Sequence, residues 1–161
     1  MNSSASAALG TLPFLALAGD GFSGEFIGEE IRLCLDGNIQ VNGQPLRDTN
    51  GPSRNLIVET LSNHYRTKGE EFLKDVSGGF RLALWDSEKR KLIVAVDPFA
   101  TRPVYYLCVN RVLVFAPRVS CFSGLSGFSG EIDLNVVYFY LNHSFIPAPF
   151  TIHRNIRRLE P

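Results

Sequence analysis

The residues best suited to chemistry lie in the run DPFATRPVYY, at positions 97–106. It contains an acid, Asp97, a cation, Arg102, and two adjacent phenols, Tyr105 and Tyr106. We expect Arg102 to pair with Asp97 or with a nearby carbonyl group. Alternation along a strand should send the two tyrosines to opposite faces, one of them into the core. We therefore interpret the run as mainly architectural, with a binding role at a domain interface as the alternative.

The cysteines are the next candidates for chemistry, since a thiolate can act as a nucleophile or a metal ligand. Cys34, Cys108 and Cys121 are odd in number and have no paired spacing, which favours free thiols in a reducing compartment. Cys34 and Cys108 lie in apolar runs, so we predict that both are buried in strands and are not catalytic. No CxxC or Cys/His cluster is present, and no metal site is predicted.

Composition limits the classes of partner. The 161 residues are 45% hydrophobic and 20% charged, which fits one globular domain with a sizeable core. Lys plus Arg equals Asp plus Glu at 16 each, a balance that favours neither nucleic acid nor an anionic membrane as a partner. The first residues lack the basic region of a signal peptide, and no apolar run is long enough to span a membrane. We predict a cytoplasmic protein.

The first half of the chain predicts two strands and two helices around a polar loop. Strands are expected over 12–19 and 31–41, with a turn at Asp36-Gly37 inside the second run. Residues 42–53 are predicted to be loop, and Ser53 should cap a helix over 54–67. A short helix over 70–76 should follow and end at Ser77-Gly78-Gly79.

A block of four apolar strands comes next. FRLALWD, KLIVAVD, VYYLCV and RVLVFA have short polar connections, so we expect antiparallel hairpins. Their apolar residues do not alternate, which predicts that both faces are covered by another sheet or by helices. Trp85 and Tyr106, or Tyr105 in its place, should pack in this core. A last helix is predicted over 134–143, with Asp133 as its cap.

The run GGFRLALWDSEKRKLIVAVDPFATRPVYY, followed by VLVFAPRVSCF, resembles one family. It is similar to the N-terminal glutaminase-type domain of asparagine synthetases, a class II glutamine amidotransferase domain. The segment IDLNVVYFYLNHSFIPAPFTIHRNIRRLEP also resembles that family's helix, turn and exit. The resemblance implies an α+β fold of the N-terminal-nucleophile hydrolase type. This fold is an αββα sandwich of two mainly antiparallel sheets with outer helices.

The same resemblance implies a domain organisation. Residues 1–10 would be a polar leader and residues 11–145 the sandwich domain. Residues 146–161 would be an exit segment that leads to a missing synthetase domain. Apolar side chains in this segment should form part of an exposed patch that packs against another domain. The alternative is that the segment docks on its own sheet.

Several positions depart from the family pattern, in which an N-terminal cysteine is the nucleophile. This chain has no cysteine before Cys34, and Ser3 is the candidate for a replacement. Asp36 and Gly37 match the family's Asn-Gly oxyanion donors, and a carboxylate there would repel an oxyanion. Arg54, followed by Asn55, matches an acid that holds the substrate's ammonium group. The resemblance thus implies a degenerate glutamine pocket at Asp36, Gly37, Arg54 and Asn55, without a catalytic residue.

SGGF, at 77–80, is similar to the start of the Ser-Gly-Gly-x-Asp-Ser pyrophosphate loop in the family's synthetase half. Here Arg81 and Leu82 follow in place of Asp-Ser, and a strand follows where the loop needs a helix. We interpret the glycines as a tight turn before the sheet.

The resemblance implies an inactive, scaffolding glutaminase-like domain of an ATP-dependent amide-forming enzyme. The parent would be of the asparagine synthetase, β-lactam synthetase or lasso-peptide cyclase type. The domain itself would need no cofactor, whereas the synthetase domain, its expected partner in cis, would use ATP and Mg²⁺. A homodimer is a further expectation. Two alternatives stay open: an active glutamine amidotransferase domain that supplies ammonia for asparagine synthesis, and a stand-alone module that binds an acidic ligand near Arg54.

Overall fold

The computed structural model describes residues 14–16, 30–46 and 54–161, with side chains for 30–46 and 56–161. The predicted leader, Ser3, the Ser53 cap and the side chains of Arg54 and Asn55 lie outside this part. The described chain divides into two compact units. One contains the residues from 30 to 102, and the other contains 14–16 and 103–160.

The first unit is a four-stranded antiparallel sheet with a helix on one face. Its strands are β2 (Ile31–Val41), β3 (Gln44–Pro45), β4 (Val76–Asp86) and β5 (Lys91–Val96), in the order β3-β2-β4-β5. Helix α1 (Arg54–Lys68) runs into a 3₁₀ helix (Gly69–Asp75), and both pack on the odd-numbered side chains of β2. The core of this face contains Leu33, Leu61, Tyr65, Phe72, Leu82, Leu84 and Ile93.

The second unit is also a four-stranded sheet. Its strands are β1 (Phe14–Ala16), β6 (Tyr105–Val109), β7 (Val112–Ala116) and β8 (Arg157–Arg158), in the order β1-β7-β6-β8. Among these described strands, β1 and β7 pair in parallel and the other pairs are antiparallel. A 3₁₀ helix (Val119–Phe122) follows β7, and helix α2 (Leu134–His143) begins at Asp133, whose carboxylate accepts the Asn135 N–H. The predicted cap of α2 is therefore confirmed.

The chain is thus an α+β protein with two mainly antiparallel sheets and helices, as the resemblance implied. Side chains on both faces of β5 are buried, which agrees with the non-alternating apolar sequence. The four central strands do form hairpins, but each hairpin belongs to a different sheet. No helix among the described residues is long and apolar enough to cross a membrane.

Two predicted turns are wrong. Asp36-Gly37 does not interrupt the strand, because β2 pairs continuously with β4 from Ile31–Asp86 to Val41–Val76. Gly37 remains in the strand with a φ of +114°, which glycine can adopt without a Cβ clash. Ser77, Gly78 and Gly79 likewise lie inside β4, and the preceding segment is a 3₁₀ helix that leads directly into it.

The burial predictions for Cys108 and Trp85 also need correction. Cys108 lies in β6 as expected but is exposed, whereas Cys34 is buried in β2. Trp85 is half-buried and lies on the face of β4 opposite Leu84 and the α1 core. Of the two tyrosines, Tyr105 packs against the buried cluster of its own sheet, as the second option predicted.

The segment 146–161 docks on that sheet through β8 and the fully buried Ile156.

Candidate functional site

The candidate site centres on the carboxylate of Asp36, which lies between two arginines. Strand pairing sets Asp36 on β2 directly opposite Arg81 on β4. The Arg81 Nη2 lies 2.7 Å from the Asp36 Oδ2. The Arg102 Nη1 donates to both carboxylate oxygens, at 3.2 Å for Oδ1 and 3.0 Å for Oδ2. A carboxylate can accept from two guanidinium groups at once, because each oxygen has two lone pairs.

These three side chains differ in their access to water. The side chains of Arg81 and Asp36 are 7% and 14% exposed, whereas that of Arg102 is 41% exposed. The Asp36–Arg81 pair is therefore largely desolvated, and removing either partner would leave a buried charge without compensation. The Asp36–Arg102 ion pair lies on the more hydrated side of the cluster, where an ion pair contributes less to stability.

Arg102 lies at the end of a loop that begins at Asp97, and hydrogen bonds to the Asp97 carboxylate determine the shape of this loop. This carboxylate is almost fully buried and accepts the N–H groups of Phe99 at 3.1 Å and Thr101 at 3.0 Å. It also accepts the Thr101 hydroxyl at 2.7 Å, and its backbone carbonyl accepts the Ala100 N–H at 2.8 Å. Ala100, the last residue of this turn, has a φ of +47°, in the left-handed region.

Arg102 therefore pairs with Asp36, and the predicted pairing with Asp97 or a nearby carbonyl is wrong. The reason is that the donors within the loop itself occupy the Asp97 carboxylate. The structure thus brings together Asp36, Gly37, Asp97 and Arg102 from the predicted set. Tyr105 and Tyr106 belong to the other unit, where they begin β6.

Two glycines form the floor beside this ion cluster. A Cβ on Gly37 would stand 2.2 Å from the Gly79 carbonyl oxygen and 2.8 Å from the Arg102 Nε. A Cβ on Gly79 would stand 2.9 Å from the Thr101 Oγ1. The sequences LDGN and SGGF, which looked like separate motifs, are therefore register partners, with Asn38 opposite Gly79 and Gly37 opposite Phe80.

The pairing also indicates the direction of the Gly37 amide. Phe80, the partner of Gly37, gives its carbonyl to the Asp97 N–H at 3.0 Å, on the β5 side of β4. Ile39, which has the same parity as Gly37, gives its carbonyl to the Leu46 N–H on the β3 side of β2. In an antiparallel ladder this makes Gly37–Phe80 a pair without mutual hydrogen bonds. The Gly37 N–H is therefore directed away from β4.

Arg81 is the member of the site that the sequence analysis missed as a functional candidate. The sequence did contain a sign of its role, because Arg81 is a single cation in the otherwise apolar run FRLALW. A cation in a strand that is buried on both faces needs a counter-ion. Only the register of β2 against β4 identifies that counter-ion as Asp36.

The Arg81 Nη2, the Arg102 Nη1 and the donors of Phe99 and Thr101 bind the protein's own carboxylates. Asp36 offers acceptors alone, so it cannot donate to an oxyanion as an asparagine amide would. With Asp97 counted, two carboxylates balance two guanidinium groups, and the cluster is formally neutral. Within residues 30–46 and 56–161, no group of three or more His, Cys, Asp or Glu side chains could hold a metal ion.

Comparison with known proteins places the chain in a family. A provisionally named glutamine-hydrolysing asparagine synthetase of Mycobacterium tuberculosis is 34% identical over 105 residues, covering 63% of this chain and 16% of the relative. Asparagine synthetase (glutamine-hydrolysing) 1 of Bacillus subtilis is 31% identical over 105 residues, covering 65% and 16%. The amidase chyE of Penicillium rubens is 33% identical over 72 residues, covering 45% and 10%. No solved structure matches the chain.

The chain thus spans about a sixth of the length of the asparagine synthetases that it matches. The sequence profile of the glutamine amidotransferase domain family matches residues 54–161. This range includes Arg81, Asp97 and Arg102 of the candidate site, whereas Asp36 and Gly37 precede it. The chain belongs to the glutamine amidotransferase domain family.

Proposed function

We propose that this chain is a glutaminase-like domain that does not hydrolyse glutamine and serves as a scaffold in an ATP-dependent amide-forming enzyme. The observation that carries the proposal is the ion-paired carboxylate of Asp36 beside Gly37. Hydrolysis of an amide develops negative charge on the carbonyl oxygen, which needs preorganised donors. A carboxylate at one of the two positions that match the family's donors supplies no hydrogen bond to that oxygen.

The remaining parts of the proposal rest on the relatives. Their names describe asparagine synthetases, and the match covers only a small part of each. We infer that a synthetase domain lies in the same polypeptide as the partner of this domain. ATP and Mg²⁺ would bind there. We further propose a sandwich domain over 11–145, an exit segment over 146–161 and a cytoplasmic location. Sequencing the gene past codon 161 tests the partner: a Ser-Gly-Gly-x-Asp-Ser loop in frame supports it.

Ammonia release from glutamine tests the inactivity directly. Purified protein whose N-terminus has been sequenced should release no ammonia above a buffer control. Ser3→Ala should leave that background unchanged. Turnover that Ser3→Ala abolishes would contradict the proposal and would identify Ser3 as a working nucleophile.

An active glutamine amidotransferase is the second candidate, and two observations favour it. The asparagine synthetase relatives carry glutamine hydrolysis in their names. The Gly37 amide is directed away from β4, so it is not used in the β2–β4 ladder. In this reading the ammonia would feed asparagine synthesis, and the same assay separates the two candidates. A stand-alone module that binds an acidic ligand has no support from the described residues, because the side chain of Arg54 is not among them.

A further inference from the structure

The segment from Asp97 to Arg102, here called the cover loop, lies directly on the two glycines of the β2–β4 pair. Its Thr101 hydroxyl is 2.9 Å from the point that a Gly79 Cβ would occupy. Its Arg102 Nε and Cδ are 2.8 and 2.9 Å from the corresponding point at Gly37. These distances leave no room for another group between the loop and either glycine. The loop therefore covers the glycine whose amide is the candidate oxyanion donor.

The cover loop is anchored at its two ends by different interactions. At its start, the Asp97 N–H donates to the Phe80 carbonyl at 3.0 Å, which continues the β4–β5 ladder. The Asp97 carboxylate accepts hydrogen bonds from Phe99 and Thr101 within the loop and so stabilises the turn between the two ends. At its end, Arg102 reaches across to the Asp36 carboxylate on β2.

We infer that Asp36, Arg81 and Arg102 form a clamp that keeps the cover loop closed over Gly37 and Gly79. Arg81, nearly buried, fixes the carboxylate of Asp36 from the sheet side. Arg102, which is 41% exposed, is the member that can leave when the loop opens. The inference rests on the proposed function and deepens it, because the closed loop occupies the face of the sheet at Gly37, the glycine that matches the family's oxyanion donor.

An anion-binding site is the competing explanation for two arginines in one cluster. Such a site needs surplus positive charge, as in the arginine clusters that bind phosphate groups. Here Asp36 is shared by both arginines, and the buried Asp97 makes the cluster formally neutral. The geometry therefore favours an internal clamp over a ligand site.

Native-state amide hydrogen exchange on the full 161-residue chain tests the clamp. The variants are Arg102→Ala, Arg102→Lys, Asp36→Asn and the double variant Arg102→Ala/Asp36→Asn. The amides of Phe99, Ala100 and Thr101, whose acceptors lie on Asp97, report opening of the loop. Those of Ile93 and Ala95, which are in hydrogen-bonded positions of the β4–β5 ladder, report global unfolding. Arg154→Ala is the matched control, because it removes an exposed arginine that pairs with Glu131 at 2.5 Å.

We expect Arg102→Ala to accelerate exchange of the loop amides about tenfold more than that of the β5 amides. Arg102→Lys should give a smaller increase, because lysine keeps the charge but cannot reproduce the planar guanidinium contact. In the double variant the loop should exchange no faster than in the faster single variant. Arg154→Ala should leave the loop unchanged.

The inference is wrong if loop and β5 amides accelerate by the same factor, if Arg102→Ala leaves the loop protected, or if the two substitutions act additively. Glutamine hydrolysis by the unaltered chain is measured in parallel, so the two proposals can fail separately. Turnover with a protected loop would overturn the proposed inactivity and leave the clamp in place. An unprotected loop without turnover would overturn the clamp alone.

Discussion

Gly37 carries the strictest steric requirement in the site. Its φ of +114° is one that residues with a Cβ rarely adopt, and a Cβ there would stand 2.2 Å from the Gly79 carbonyl oxygen. Strain and clash therefore act together at this position. We predict that Gly37→Ala lowers the free energy of unfolding by more than about 3 kcal/mol, measured by urea denaturation of the full chain.

Gly43 supplies the control for that prediction. It also has a positive φ, +74°, but no atom lies within 4 Å of the point that its Cβ would occupy. Gly43→Ala should therefore show the conformational strain alone, about 1 kcal/mol. Equal losses at the two positions would mean that the close approach of β4 and the cover loop to Gly37 is not as the structure describes it.

Tyr65 and Asp86 form a second residue-scale unit, buried where α1 meets β4. The Tyr65 hydroxyl donates to the Asp86 Oδ2 at 2.8 Å. Burial raises the pKa of Tyr65 well above its usual range, and the hydrogen bond and charge of Asp86 add to this shift. Burial also acts to raise the pKa of Asp86, but the Lys89 N–H and the Tyr65 hydroxyl outweigh it and lower that pKa.

The lowered pKa of Asp86 predicts how the stability of the fold depends on pH. A carboxylate with a lower pKa in the folded state contributes fully above its unfolded pKa, about 3.9, and loses that contribution as pH falls through the folded pKa. Asp86→Asn should therefore be less stable than the unaltered chain at pH 6, and the gap should narrow below about pH 4. Urea denaturation between pH 6 and pH 2.5 measures it. A constant gap would assign the loss to packing rather than to charge.

At the scale of elements, the register of β2 against β4 determines two features that the sequence did not reveal: the unbroken strand at Asp36-Gly37 and the Asp36–Arg81 contact. Helices α1 and α2 and the strands of both central hairpins were predictable, because their apolar periods and caps are local signals. The Asp36-Gly37 dipeptide is also a local signal for a turn, but eleven paired positions along β4 override it. The Asp36–Arg81 contact depends on that register alone, so no spacing along the chain could reveal it.

The misplaced Cys108 has a similar cause at the level of one strand. The run YYLCV looked buried throughout, yet β6 buries Leu107 and exposes Cys108, since neighbouring side chains point to opposite faces. Cys34 on β2 is only 2% exposed. We predict that a thiol reagent modifies Cys108 in native protein much faster than Cys34. Mass spectrometry of proteolytic fragments should locate the label, and equal rates in denaturant serve as the control.

The opposite result would be informative for β2. If Cys34 reacts as fast as Cys108 in native protein, either β2 opens readily or the face of β2 that carries Cys34 is accessible to the reagent. Exchange of the Arg32 and Cys34 amides, which are in hydrogen-bonded positions of the β2–β4 ladder, separates these explanations, because opening of β2 would accelerate both. Protection of those amides together with fast labelling of Cys34 would mean that this face of β2 is accessible.

At the scale of the whole molecule, helix α2 presents an apolar surface to solvent. Leu134, Tyr138 and Leu141 are about three-quarters exposed, and Phe145 after the helix is 56% exposed. They recur at helical spacing and form one stripe, here called the α2 stripe. Residues 134–145 contain no Asp, Glu, Lys or Arg. Apolar patches of this kind beyond a few hundred Å² are typical of interaction surfaces.

A synthetase domain in the same polypeptide would provide a cover for the α2 stripe, and this leads to the last prediction. In the 161-residue chain alone, the stripe should bind a hydrophobic dye or be covered by self-association. Leu141→Glu should reduce dye fluorescence and shift any dimer towards monomer in analytical ultracentrifugation, because a carboxylate in the stripe cannot be buried without a partner. Leu56→Glu, at a 48% exposed position on α1, is the matched control and should change neither reading.

Deleting residues 147–161 is a poorer test of the α2 stripe. Ile156 and β8 belong to the second sheet, and losing them would disturb the fold of that sheet. A monomer that binds no dye, in both the unaltered chain and Leu141→Glu, would mean that the α2 stripe is not an interaction surface.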